Sequence, residues 1–119
     1  MVAERLDQLI EASPGCRNVA YADLSIGMVL VASGPETLSR EVLDRLCSEA
    51  DLTLGDGEVA LGSQPAMASV STTATDTKVF LRSADEPGDA LLCLCNPNID
   101  LSGFIDRAKA CLADVSGGE

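Results

Sequence analysis

Histidine is absent from the 119 residues of this chain, and so is tryptophan. Without histidine the chain cannot build a Ser-His-Asp or Cys-His catalytic arrangement, or a metal site that uses histidine ligands. Catalysis by carboxylates, lysine or cysteine alone is not excluded, but no constellation of these residues in the sequence indicates it. We therefore expect a protein that is not an enzyme and that carries no cofactor and no metal ion.

Aromatic residues are also scarce, since only Tyr21, Phe80 and Phe104 are present. The hydrophobic fraction of 46% is ordinary for a globular protein, so the core must be built mainly from aliphatic side chains. A chain of this length forms one domain with a core of modest size. We expect this domain to span residues 1–115, followed by a flexible tail at 116–119.

Basic residues are few: 8 lysines and arginines stand against 19 acids, giving a formal net charge of −11. The bases are scattered, so no cluster is available to neutralise phosphates, and we expect no nucleic-acid partner. Apolar runs long enough to cross a membrane are missing, and the chain starts with an amphipathic pattern rather than a signal peptide. The expectation is therefore a cytoplasmic protein that does not insert into membranes.

Five cysteines are present, and their odd number without an export signal indicates free thiols in a reducing compartment. Cys93 and Cys95 are two residues apart in an apolar run, so on a strand they point to the same face. This spacing leaves open a thiol-based redox or metal site. However, Cys47 and Cys111 fall on the apolar stripes of predicted helices, which favours buried cysteines that act as small hydrophobic residues.

The stretch from Asp89 to Leu112 gives the clearest structural prediction. Residues 90–95 form an unbroken apolar run, which predicts a strand at the centre of a sheet, covered on both faces. The sequence Asn96-Pro97-Asn98 ends this strand, and a helix follows, capped by Asn98 or Asp100. The apolar stripe of this helix consists of Leu101, Phe104, Ile105, Ala108, Cys111 and Leu112.

The remaining pattern predicts a first helix from residue 2 that ends at Pro14-Gly15. Strands follow at 16–23 and 28–32, a second helix at about 36–52, and strands at about 66–73 and 77–83. Residues 51–65 are predicted as a loop with a short strand at 58–61, without the spacing of a phosphate-binding loop. Phe80 is a candidate exposed or interfacial aromatic, but a place in the core under a helix is the favoured interpretation.

The order α-β-β-α-β-β-β-α with short polar turns predicts an α+β fold. Three helices sandwich a five-stranded, mainly antiparallel sheet, whose second and fifth strands are expected to be covered on both faces.

With this layout the chain resembles the Roadblock/dynein light chain family, a branch of the profilin- and longin-like architecture. The resemblance covers about residues 2–115. The features that carry it are the pattern Leu-x-x-Leu-Ile in the first helix, Pro14-Gly15, a strand with Ala20-x-x-Asp23, and the run Gly-Met-Val-Leu-Val-Ala at 27–32. The closing strand, the Asn-Pro-Asn break and the last helix also match, whereas Ser25-Ile26 in the first hairpin and the segment 51–65 depart from the family pattern.

The resemblance implies a homodimer that pairs through sheet edges and the second helix. It also implies a non-enzymatic scaffold or regulator that binds a small Ras-like GTPase or a larger protein assembly. The outward face of the second helix is the candidate partner interface: Arg40, Glu41, Asp44 and Arg45. One alternative is a small-molecule sensor of profilin-like architecture, with a cavity between sheet and helix. Another is the thiol protein based on Cys93 and Cys95.

Overall fold

The computed structural model describes residues 2–35, 37–54, 68–83, 86 and 88–118. Its elements are α1 (Val2–Ala12), β1 (Cys16–Asp23), β2 (Met28–Ser33), α2 (Arg40–Leu54), β3 (Ala68–Thr72), β4 (Thr77–Arg82), β5 (Asp89–Cys95) and α3 (Leu101–Gly118). This order confirms the predicted α+β fold. The predicted strand at 58–61 and the first residues of the predicted third strand lie outside the described residues.

The five strands form one sheet in the order β2-β1-β5-β4-β3, and each neighbouring pair is antiparallel. β5 lies at the centre, as its apolar run predicts. Helices α1 and α3 pack on one face of the sheet, and α2 packs on the other. We call these the α1/α3 face and the α2 face.

The two faces have cores of different character. On the α2 face, Ala20, Ala22 and Ala90 are almost fully buried beneath α2, and their small side chains allow the helix to approach the sheet closely. Phe80 fills the same core and is only 2% exposed. This confirms the favoured prediction for Phe80, a place in the core under a helix, because the alternation of β4 directs its side chain under α2.

The connections confirm several local predictions. Gly15 has a φ of 96°, the left-handed conformation that ends α1. Asp100 caps α3: its Oδ1 accepts a hydrogen bond from Gly103 N at 3.5 Å, and its carbonyl accepts one from Phe104 N at 2.9 Å. The domain boundary at residue 115 stays a prediction, although α3 continues to Gly118.

Helix α2 begins at Arg40, later than the predicted start near residue 36. The reason is the hydroxyl of Ser39, which accepts a hydrogen bond from Val42 N at 3.2 Å and so acts as the N-cap. The helix ends at Leu54, beyond the predicted end at Leu52.

Strand β2 differs from its prediction, because it is an edge strand with Leu30 49% exposed. The expectation that both faces of this strand are covered is wrong. Tyr21 pairs with Val31 and Ala22 with Val29, so Leu30 is the extra residue of a β-bulge. The bulge lets Val29 pack on the α2 face and Val31 on the α1/α3 face.

Candidate interaction surface

All four residues of the predicted interface lie on α2 with exposed side chains. Arg40 Nε is 3.7 Å from Asp44 Oδ1, and the two side chains are 65% and 58% exposed, so this ion pair stabilises the helix only slightly. Glu41 and Arg45 also lie one turn apart, in the row of side chains next to that of Arg40 and Asp44. The periodicity of the sequence therefore identified the solvent side of α2 correctly.

An ion pair connects α2 to the sheet. Lys78 Nζ on β4 donates to Glu49 Oε1 at 2.8 Å and to Oε2 at 3.2 Å. Because β4 neighbours β3, Glu49 marks the side of the helix that faces the β3 edge of the sheet. Residues three or four positions apart share a side of a helix, so Arg45 and Leu52 lie on that side as well.

We call Arg45, Glu49 and Leu52 the β3 flank of α2. Arg40 and Asp44 lie on the opposite flank, since they are about half a turn away from Glu49 around the helix axis. The structure thus separates Arg45, on the β3 flank, from Arg40 and Asp44, on the opposite flank.

Leu52 was missed by the sequence reasoning, although its side chain is 84% exposed. It falls outside the apolar stripe that packs on the sheet, and it is the only apolar residue among the exposed residues of α2. That contrast was visible in the sequence. A lone exposed leucine is common at protein surfaces, but on the helix that carries the predicted interface it is a candidate contact residue.

The edge formed by β3 is regular. Its five residues pair with β4 from Ala68–Leu81 to Thr72–Thr77 without a shift in register, and Val70 is 41% exposed. Edge strands are commonly protected from association by bulges or charged side chains. β2 carries a bulge, whereas β3 (Ala-Ser-Val-Ser-Thr) has neither protection. The sequence predicted β3 but gave no reason to prefer its edge.

A side chain of β1 binds the turn between β3 and β4. The Arg17 guanidinium hydrogen-bonds the Asp76 carboxylate, and this contact holds the pKa of Asp76 below its usual value. Thr73 N also donates to the carbonyl of Asp76 at 2.7 Å. These contacts fix the hairpin that presents the β3 edge.

All five thiols are free and buried. Cys93 and Cys95 lie on the same side of β5, as predicted, within the core of the α1/α3 face. Burial raises the pKa of Cys47, Cys93 and Cys111. In the described part of the chain, no three or more cysteine, aspartate or glutamate side chains are grouped so that they could hold a metal ion.

Two clefts are present at the surface of the described residues. One, of about 230 Å³, lies between α1 and α3 and is lined by residues that include Arg5, Leu9 and Arg107. The other, of about 170 Å³, lies where β2 leads towards α2. The small-molecule alternative needs a cavity between the sheet and a helix, and neither cleft lies there. Both clefts also have a smaller volume than the roughly 300 Å³ of the smallest typical ligand pockets.

None of the described helices is both long and apolar enough to cross a membrane.

Comparison with known proteins identifies the fold. No protein-family model and no curated protein sequence matches the chain. Among solved structures, the Roadblock/LC7 domain from Streptomyces avermitilis is 14% identical with a TM-score of 0.73, covering 95% of this chain and 92% of that one. MglB from Myxococcus xanthus is 12% identical with a TM-score of 0.78, covering 97% and 91%.

A further structure, of MglB in a tetrameric arrangement, is 14% identical with a TM-score of 0.74 and covers 95% of this chain and 83% of that one. These likenesses extend over nearly the whole chain and agree with the element order and sheet topology described above. The chain therefore has the Roadblock-like fold.

Proposed function

We propose that this chain forms a homodimer through β3 and the β3 flank of α2, and that the dimer is a non-enzymatic regulator or scaffold that binds a small Ras-like GTPase. The observation that carries the proposal is the edge of β3, which within the described residues has neither a bulge nor a charged side chain and on which Val70 is 41% exposed.

The geometry of such a dimer follows from the position of β3. If the β3 strands of two copies pair antiparallel about a twofold axis, the two five-stranded sheets continue into each other. Both α2 helices then lie on the same side of the joined sheet and approach each other across the axis. Leu52 and Arg45 face that approach, so Leu52 becomes buried and the contact gains apolar area.

A solved relative of the fold supports self-association. MglB occurs in a tetrameric arrangement, which shows that a domain of this fold can assemble with further copies of itself. A domain of 119 residues also has a limited core of its own and gains stability when it buries more apolar surface in a dimer.

The GTPase partner is proposed from the resemblance to the Roadblock family. Dimerisation leaves the flank with Arg40 and Asp44 exposed, and its mixed charges suit a protein surface rather than a polyanion. A cytoplasmic location belongs to the same proposal, and the five free thiols support it.

The dimer is tested with two matched variants, Val70→Asp and Leu30→Asp. Each places a carboxylate on a half-exposed apolar position of an edge strand, one on β3 and one on the opposite edge of the sheet. By size-exclusion chromatography with light scattering, we expect the wild type and Leu30→Asp at twice the monomer mass of 12.3 kDa, and Val70→Asp at the monomer mass. A monomeric wild type at micromolar concentration, or a dimer lost only in Leu30→Asp, contradicts the proposal.

The GTPase contact is tested separately with Arg40→Glu and the control Lys109→Glu. Both exchange an exposed base on a helix for an acid, but Lys109 lies on α3, on the other face of the sheet. With a purified GTP-loaded Ras-like GTPase, taken first from the genes next to this one, calorimetry should show weaker binding for Arg40→Glu only. Equal binding by both variants rejects this flank as the contact. GTP hydrolysis by the chain alone contradicts a non-enzymatic role.

A further inference from the structure

Two of the buried cysteines are direct neighbours across the sheet. Cys16 at the start of β1 is paired with Cys95 at the end of β5. Just outside this pair, Asn96 N donates to the carbonyl of Gly15 at 2.7 Å. That hydrogen bond identifies Cys16 and Cys95 as a non-hydrogen-bonded pair of an antiparallel ladder, the type in which opposite side chains are closest.

The spacing of such a pair matches the spacing of a disulfide. Opposite Cα atoms in non-hydrogen-bonded pairs are about 4.5 Å apart, within the range of about 4.4–6.8 Å that disulfides span. The two side chains also point to the same face of the sheet, since both belong to the core of the α1/α3 face. A bond between the two sulfurs therefore requires side-chain rotation and no displacement of either strand.

The other cysteines lack this relationship. Cys93 faces Val19 and Val79 across its neighbouring strands. It is two residues from Cys95 on one extended strand, which holds their Cα atoms about 6.6 Å apart, near the upper limit of the range that disulfides span. Cys47 lies in the core on the opposite face of the sheet. Within the strand ladder, the register thus selects Cys16 and Cys95.

We propose that Cys16 and Cys95 form a redox-active site that a hydroperoxide converts into a cross-strand disulfide. One sulfur, as thiolate, attacks the peroxide oxygen and becomes a sulfenic acid, while the peroxide leaves as an alcohol, or as water from hydrogen peroxide. The second thiol attacks that sulfenic sulfur, the S–S bond forms, and the oxygen leaves as water with the thiol proton. The two thiols together give up two electrons to the peroxide.

The two thiols of the pair differ in acidity. The neighbouring Cys16 thiol and the positive charge of Arg17 lower the pKa of Cys95, whereas the Cys95 thiol and burial raise the pKa of Cys16. Cys16 is 8% exposed and Cys95 is fully buried, so an oxidant has little access to either sulfur. The site therefore responds to sustained peroxide rather than to brief exposure.

The disulfide would tie β1 to β5, the two central strands, and would close a loop from residue 16 to residue 95. Because long closed loops remove much of the entropy of the unfolded chain, we expect the melting temperature to rise by about 10 °C on oxidation. The chain would thus gain stability under oxidising conditions, whatever partner it binds.

The experiment treats the folded protein with hydrogen peroxide and measures its thermal unfolding. A second sample of the treated protein is unfolded in urea, its remaining thiols are blocked with iodoacetamide, and its intact mass and tryptic peptides are measured. We expect a product that has lost two hydrogen atoms and retains three alkylated cysteines, with the peptide that contains Cys16 joined to the peptide that contains Cys93 and Cys95. The matched variants Cys93→Ala and Cys111→Ala keep this bridge, whereas Cys16→Ala and Cys95→Ala lose it.

Mapping in the wild type keeps the test valid if an alanine variant does not fold. The proposal is overturned if the bridged peptides are absent, if the bridge persists in Cys16→Ala, or if it forms only after urea has unfolded the protein. Sulfonic acids or links between chains as the main products overturn it as well.

Discussion

The hydroxyl of Tyr21 on β1 donates a hydrogen bond of 2.8 Å to Asp89 Oδ2 at the start of β5. Ser116 Oγ, near the end of α3, donates to the same oxygen at 3.0 Å and hydrogen-bonds Ser83 Oγ at 3.0 Å. One carboxylate oxygen therefore connects the two central strands with the last helix. Burial, together with the hydrogen bond to Asp89, raises the pKa of Tyr21 to about 12.

The first prediction concerns the titration of Tyr21. Asp89→Asn removes the negative charge that disfavours the phenolate, so the pKa of Tyr21 should fall, but it should stay above the ordinary value of about 10 because burial persists. Tyr21 is the only tyrosine and tryptophan is absent, so the near-ultraviolet absorbance of tyrosinate reports this group alone. The charge of Asp23 raises the pKa of Tyr21 less than that of Asp89 does, so Asp23→Asn should lower this pKa by less than Asp89→Asn.

The sign of the linked stability follows from the raised pKa. The hydrogen bond of the neutral Tyr21 stabilises the folded state fully below about pH 10, the unfolded pKa, and this contribution is lost as the pH rises through about 12. A Tyr21→Phe variant should lack this part of the alkaline loss and should be less stable by about 1–2 kcal/mol at neutral pH. An unchanged tyrosine titration in Asp89→Asn would contradict the hydrogen bond.

The second prediction compares two glycines with positive φ. Gly34 has a φ of 141°, and an added Cβ would meet the side chain of Asn18 and lie 2.5 Å from the carbonyl oxygen of Arg17. Gly27 has a φ of 66° and open space around the added Cβ. We expect Gly34→Ala to cost about 3 kcal/mol or more and Gly27→Ala about 1 kcal/mol, since only the former combines strain with a clash. Urea unfolding at one fixed protein concentration measures both, and equal costs would contradict the close contact at Gly34.

Sequence periodicity predicted every helix and strand of the described chain, because each element repeats its apolar residues with its own period. The sequence pattern predicted the burial of β2 wrongly, because five apolar residues in succession indicate burial on both faces of a strand. Position at the sheet edge and a bulge at Leu30 decide the exposure there, and both depend on pairing with β1. A local sequence pattern does not indicate which strands pair or in which register.

The candidate interaction surface could also be predicted only in part from the sequence. The solvent side of α2 could be predicted from the sequence, since charged residues recur opposite the apolar stripe. The two flanks of α2 could not, because they are distinguished only by the contact of Glu49 with Lys78, which are distant in sequence. The pairing of Cys16 with Cys95 is likewise a property of strand register.

The third prediction concerns the ion pair between Arg17 and Asp76. Arg17→Met removes the guanidinium, so the pKa of Asp76 should rise towards its ordinary value, as measured by NMR titration of the carboxyl carbon. A lowered folded pKa stabilises the protein above the unfolded pKa, and this contribution disappears as the pH falls through the folded pKa. The difference in stability between wild type and Arg17→Met should therefore shrink in acid. Both side chains are about one-third exposed, so the expected difference at neutral pH is below about 1 kcal/mol.

The last prediction separates the contribution of α2 to the dimer from that of β3. Leu52→Asp places a charge at the one exposed apolar position of α2, and the matched control Ile26→Asp does the same in the turn between β1 and β2, where Ile26 is 64% exposed. Burying a leucine side chain contributes about 1.5–3 kcal/mol, and the dimer contains two copies of Leu52. The dissociation constant of the dimer should therefore rise by at least about 100-fold in Leu52→Asp and stay unchanged in Ile26→Asp. Sedimentation equilibrium over a range of concentrations measures both constants. If Leu52→Asp dimerises as tightly as the wild type while Val70→Asp does not dimerise, the copies pair through β3 alone and the β3 flank of α2 is free to bind another protein.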